Sequence, residues 1–139
     1  MKAAVRYHSL TGNTKKVALA LAEGAGCQAA ELSAGAADAD LLFVGAASYA
    51  THGHSVPPEV RRFIASLDPR SVRRAAVFST GFRQSDTVGT LRRLLSERGI
   101  AVEKESFFCK GRLAIFQMRH PDADDLGRAR DFGRRLAGN

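Results

Sequence analysis

Tryptophan is absent from this chain of 139 residues, cysteine occurs only twice and proline four times. Cys27 and Cys109 stand far apart, outside any paired framework or metal-ligand spacing. That excludes a disulfide scaffold and a cysteine-rich zinc site, and both read as reduced thiols acting as small hydrophobes. No apolar run approaches the ~20 residues that a membrane-spanning helix requires. The chain enters a strand pattern at once, without a long apolar leader, so a cytoplasmic protein with no membrane association is expected. The first helix opens with neither G-x-x-x-x-G-K-[ST] nor G-x-G-x-x-G, which disfavours ATP and direct dinucleotide binding at that loop. No run of five or six like charges occurs, even though the formal net charge is +7.

What is present describes a folded domain. Hydrophobic residues make up 45% and charged residues 25% of the chain, the proportions of a globular protein. The length allows one domain spanning residues 1–139. The basic excess is dispersed in pairs, Lys15-Lys16, Arg61-Arg62, Arg73-Arg74, Arg92-Arg93 and Arg134-Arg135. Most pairs fall in segments of helical period, where they form solvated outer faces, so nucleic acid is not the expected partner.

Strand and helix patterns alternate along the chain. Lys2 to Tyr7 reads as a strand, and Thr14 to Glu23 as a helix stopped by Gly24 and Gly26. Gln28 to Leu32 is a brief second strand, and Ser33 to Asp40 has room for about one helical turn. Leu41 to Ala46 is continuously apolar, the mark of a central parallel strand. Pro57-Pro58 opens a helix with Val60, Phe63, Ile64 and Leu67 at helical spacing. Ala75 to Phe78 is a fourth strand, ended by Ser79-Thr80-Gly81, and a helix runs from about Thr87 to Arg98 before Ile100 to Val102. A last helix follows Asp122 and carries Leu126, Ala129, Phe132 and Leu136 on one face. This order predicts an α/β fold of three layers: a doubly wound, five-stranded parallel sheet in the order 2-1-3-4-5, with a short second helix.

The segment His8-Ser9-Leu10-Thr11-Gly12-Asn13-Thr14 lies where the first strand passes into the first helix. Ligands of such sheets sit at the carboxyl ends of the strands. A helix N-terminus offers backbone N–H groups and a positive dipole end, Gly12 permits close backbone approach, and Ser9, Thr11, Asn13 and Thr14 can donate to phosphate oxygens. Helix capping alone needs one such residue, so a phosphate cradle accounts better for the whole set.

With these residues in place, the chain resembles the flavodoxin family. The family's phosphate loop, Ser/Thr-x-Thr-Gly-Asn-Thr, is matched throughout by Ser9 to Thr14, and the resemblance covers essentially the whole chain. It extends to Ser48-Tyr49-Ala50-Thr51-His52-Gly53-His54 after the third strand and to Phe78-Ser79-Thr80-Gly81 after the fourth. The late pieces Phe108-Cys109-Lys110-Gly111 and His120-Pro121-Asp122 are similar to those of short-chain, stand-alone members. The resemblance implies bound FMN, with Ser9, Leu10, Thr11, Gly12, Asn13 and Thr14 at the phosphate. Around the isoalloxazine ring it implies Ser48, Tyr49, Ala50, Thr51, His52 and Gly53 from the second loop, and Ser79, Thr80, Gly81, Phe82 and Arg83 from the third.

A flat apolar ring needs an aromatic wall, and Tyr49 and Phe82 are the candidates where many flavodoxins use tryptophan. The family's glycine-containing peptide, which turns its carbonyl toward the reduced ring, has two possible places here: Ala50 in the simplest register, or Gly53 a little later. His52 and His54 are either solvated loop residues or proton-coupling groups. Many flavodoxins are acidic, whereas this chain is basic. Arg83, Lys110 and Arg112 are the cations expected near the ring, where positive charge favours its anionic reduced form and raises that couple's potential.

The resemblance thus implies a soluble electron carrier between a reductase and an acceptor enzyme, a monomer or weak dimer meeting redox partner proteins with an acidic docking face. No acid–base dyad, nucleophile–base pair or metal cluster stands out, which suits a carrier better than a stand-alone enzyme. Two further readings remain at this point: an NAD(P)H-dependent quinone or flavin reductase on the same scaffold, and a flavin-free basic binding module. A receiver domain is disfavoured because Tyr7, His8 and Ser9 stand where its acidic cluster is expected.

Overall fold

Four consecutive residues, Leu41, Leu42, Phe43 and Val44, are completely shielded from solvent, as in a strand covered on both faces. They belong to β3 (Ala39–Ser48), the centre of a parallel sheet. The protein is described by a computed structural model over residues 1–10, 12–36, 38–48, 56–81, 86–110 and 121–138. β1 (Ala3–His8) and β4 (Val72–Gly81) flank β3, and β2 (Ala29–Glu31) lies beyond β1. Two short segments, β5 (Ala101–Val102) and β6 (Phe107–Lys110), both pair with β4. The sheet order is the expected 2-1-3-4-5.

The fifth position differs from the sequence pattern in being filled twice. Glu103 N–H still donates to the Ala75 carbonyl at 2.7 Å. Beyond it, the Arg92 guanidinium takes the carbonyls of Glu103 and Lys104 at 2.7 and 3.0 Å. A side chain thereby occupies acceptors that a continuous ladder would use. The strand resumes at Phe107, opposite Phe78.

Alternation along the strands divides the core between two faces. Val5, Leu41, Phe43 and Phe78 pack with α1 (Asn13–Ala25) and α4 (Ala123–Ala137). Leu42, Val44, Ala75 and Val77 pack with α2 (Pro58–Ser66) and α3 (Thr87–Glu97). On the first face Phe132 meets Phe43 and Phe107 with ring centroids 6.0 and 5.7 Å away; each buried ring contributes roughly 1.5–3 kcal/mol. Helices α1 and α4 pack backbone to backbone, since a Cβ on Gly24 would overlap the Arg130 carbonyl and one on Gly133 the Leu21 carbonyl.

The aspartates at the start of α4 do more than meet the helix dipole. Asp125 N–H donates to Asp122 Oδ1 at 2.9 Å, and Asp122 N–H donates to Asp125 Oδ2 at 3.0 Å. This is a reciprocal capping box with aspartate in both places. The short second helix is a single 3-10 turn, Leu32–Ala34, capped by the Glu31 carboxylate, which accepts from Ser33 N–H at 3.1 Å.

Candidate functional site

The pairing register brings the strand ends to one rim. His8 lies beside Ala46, Ser48 beside Gly81, and Gly81 beside Lys110. The three polar stretches chosen from the sequence therefore all leave the same edge of the sheet, its carboxyl end. Among the described members of that set, Ser9, Leu10, Gly12, Asn13 and Thr14 follow β1, Ser48 ends β3, and Ser79, Thr80 and Gly81 end β4. Thr11, Tyr49, Ala50, Thr51, His52, Gly53, His54, Phe82, Arg83 and Arg112 lie outside the described residues.

Gly12 occupies the N-cap of α1 with φ +92°, a left-handed conformation that glycine adopts without strain. Its N–H donates to Ser9 Oγ at 3.0 Å, and its carbonyl accepts the first helical bond from Lys16 N–H at 3.1 Å. The Ser9 hydroxyl thus braces the loop. Glycine at the N-cap brings no side-chain acceptor of its own to the first turn. The first turn also holds no acidic residue, and it carries the exposed Lys15 and Lys16. Two ammonium groups beside a positive helix end form a field for an anion.

Thr14 and Thr80 are both nearly completely buried, and their hydroxyl oxygens lie 2.8 Å apart. The pair ties the start of α1 to the end of β4. Two hydroxyls sharing one hydrogen bond still hold a second O–H and spare lone pairs. Ser79 does not share this position. The strand runs on to Gly81 rather than ending at Phe78, so alternation places Ser79 on the opposite face from Thr80. Reading Ser79-Thr80-Gly81 as a loop overlooked that ladder. Leu10, in contrast, is 73% exposed.

His8 was missed. In β1 the odd residues Val5 and Tyr7 face α1, so alternation turns His8 to the other side, where its side chain is 12% exposed. Its Nε2 lies 3.6 Å from Glu59 Oε2. Its Nδ1 is buried with no hydrogen-bond partner among the described residues. The period of two through Ala4, Arg6 and His8 was the signal that could have found it.

Members of three arginine pairs meet carboxylates: Arg74 meets Glu103, Arg93 meets Glu97, and Arg135 meets Glu105. Arg62 lies with His8 beside Glu59. Cys109, in β6, is buried. Burial pushes its thiol up to about 12, assisted by Asp125; the half-buried Cys27 thiol is also raised by burial, against the pull of Arg6. Among the described residues, no group of three or more potential metal ligands occurs and no helix is long and apolar enough to cross a membrane.

No protein-family model matches the chain, and no curated protein matches it. Solved structures do. A flavodoxin from the domain Archaea superposes with a TM-score of 0.79 at 20% identity, covering 99% of this chain and 97% of that one. Oxidised flavodoxin 1 of Bacillus cereus gives 0.77 at 19% identity, with 100% and 99% covered. The rubredoxin:oxygen oxidoreductase of Desulfovibrio gigas gives 0.74 at 18% identity, and there 99% of this chain spans only 35% of the larger one. At such identities the likeness carries architecture, and the chain takes the flavodoxin fold.

Proposed function

We propose that this protein binds FMN and carries electrons between a reductase and an acceptor enzyme. The observation that carries the reading is the loop from Ser9 to Thr14. It enters a helix through a left-handed glycine, lacks side-chain capping at that glycine, and is fastened to the end of β4 by the Thr14 and Thr80 hydroxyls. An anion-binding entry and the strand ends that would flank a flat ring thus share one rim. The flavodoxins among the superposed structures support the same reading.

In this reading Ser9, Leu10, Thr11, Gly12, Asn13 and Thr14 hold the phosphate. The segments Ser48 to Gly53 and Ser79 to Arg83 enclose the ring, with Tyr49 and Phe82 as its walls. When bound, the flavin supplies the redox chemistry. The chain supplies affinity, orientation and electrostatic tuning, and the exposed Lys110 beside Gly81 adds positive charge at the rim. A hydroquinone couple less negative than that of acidic flavodoxins follows. The partner would be a redox protein with an acidic docking face, its association weakening as salt rises. Work in the cytoplasm as a monomer or weak dimer completes the reading.

The test is the visible spectrum after adding FMN and removing the excess, followed by stepwise anaerobic reduction. Retained flavin passing through a one-electron form supports the carrier. Retained flavin that turns over NAD(P)H and a quinone without an added reductase overturns carriage in favour of a reductase. Failure to retain flavin at high concentration overturns the FMN reading itself.

A further inference from the structure

Thr80 sits on a face of β4 that is otherwise apolar. Ala76 and Phe78 join the core shared with α1 and α4, and alternation carries Thr80 to the same side. There its hydroxyl oxygen lies 2.8 Å from that of Thr14, 66 residues away in the chain, and both residues are 1% exposed. Stability alone does not call for hydroxyls in this place. Replacing both partners of a buried hydrogen bond by apolar groups of the same shape is close to neutral or stabilising, and two valines have nearly the shape of two threonines. What valines cannot supply is direction: a hydrogen bond fixes distance and angle, whereas apolar contact is non-directional.

The element fixed in this way is the entry of α1. Thr14 is the second residue of the helix and follows closely on the left-handed Gly12. The first helical bond is the one from Lys16 N–H to the Gly12 carbonyl. The N–H groups of Thr14 and Lys15 come before it, where a helix directs its donors to an outside acceptor. Farther along, α1 is anchored by packing, with Val17 and Leu21 fully buried and Gly24 against the Arg130 carbonyl. The first turn, Asn13 to Lys16, carries no apolar side chain. Hydrogen bonds must hold it instead: Ser9 Oγ braces the loop ahead of the helix by accepting from Gly12 N–H, and Thr80 braces the helix itself against β4.

We propose that Thr80 is a positioning residue for the phosphate group of the flavin. Through Thr14 it holds the first turn of α1 so that the Thr14 and Lys15 N–H groups stay aimed at the phosphate, and it thereby sets the preference of the site for FMN over riboflavin. The inference rests on the FMN reading and gives a role at the phosphate to a residue that the resemblance places by the ring.

The test follows FMN and riboflavin binding to the full chain by flavin fluorescence, in the parent protein, Thr80→Val and Thr80→Ser. Thr80→Val is expected to weaken FMN about tenfold, the scale of one net hydrogen bond. Riboflavin, which has the same ring and no phosphate, is expected to bind as it does to the parent. Thr80→Ser keeps the hydroxyl and should restore most of the FMN affinity. The double variant Thr14→Val with Thr80→Val replaces the whole pair by apolar groups, carries the same test should Thr80→Val fail to fold, and should also bind FMN more weakly. Unchanged FMN affinity in Thr80→Val or in the double variant overturns the proposal. So does an equal loss for the two flavins, a Thr80→Ser protein no better than Thr80→Val, or equal affinity of the parent for FMN and riboflavin. A parent protein that binds neither flavin overturns the FMN reading instead.

Discussion

The hydroxyl oxygens of Thr14 and Thr80 lie 2.8 Å apart in the interior, joining the first turn of α1 to the end of β4. Thr80→Val keeps the shape of the side chain and removes one partner, leaving the Thr14 hydroxyl buried without its bond. A loss of about 1–3 kcal/mol in folding stability is expected, read as a lower urea midpoint at unchanged slope. If the pair also positions the phosphate loop, FMN affinity falls in the folded variant as well. Unchanged affinity would show that the pair serves the fold alone.

Gly12→Ala tests the loop from another direction. A Cβ at Gly12 meets nothing within 4 Å, so the obstacle is the backbone angle of +92° and not space. Holding alanine in the left-handed region costs roughly 1–2 kcal/mol. The chain can relieve that strain by rotating the loop, which turns its N–H groups away from an anion. The expected result, measured by calorimetry, is a stability loss within that range accompanied by a clear drop in FMN affinity.

The sheet was legible because its signals are local: the unbroken apolar run at Leu41 to Val44 is as buried as its pattern requires. The turn from β1 into α1 was legible for the same reason, since strand, glycine and helix follow one another within a few residues. The split edge was not, because what interrupts it is Arg92, a side chain from α3 that takes carbonyls 11 and 12 residues further along. The Thr14 to Thr80 pair spans 66 residues and has no sequence pattern. The end of β4 was misplaced because Ser79 and Thr80, polar residues inside a ladder, look like a loop until the register with Ala46 and Ala47 is known.

Buried thiols set a pH dependence at the alkaline end. The Cys109 thiol is pushed from 9.0 up to about 12, by burial first and by Asp125 second. The unfolded chain releases this proton at lower pH than the folded one, so the raised value stabilises the fold below about pH 9 and that contribution is lost as pH rises toward about 12. The slope from one such group is at most about 1.4 kcal/mol per pH unit. Cys109→Ala should flatten the alkaline decline in stability relative to the parent protein. Thiol labelling at neutral pH should reach Cys27 before Cys109, with Cys109 reacting only when the protein opens.

Lys15 and Lys16 make opposite demands on the empty and the loaded protein. In the first turn of α1 they stand against the positive end of the helix, with no acidic residue there to offset them. Reversing both charges, Lys15→Glu with Lys16→Glu, should raise the thermal midpoint without ligand, since each carboxylate at a helix N-terminus is worth about 0.3–1 kcal/mol. The same change places two anions beside the proposed phosphate position and should weaken FMN about tenfold at low ionic strength, with the difference shrinking as salt screens the charges. Higher stability combined with lower, salt-sensitive affinity would identify these lysines as residues held in an unfavourable place for the sake of an anionic ligand. If stability rises while affinity does not move, the phosphate lies elsewhere and the two lysines belong to the solvated outer face of α1.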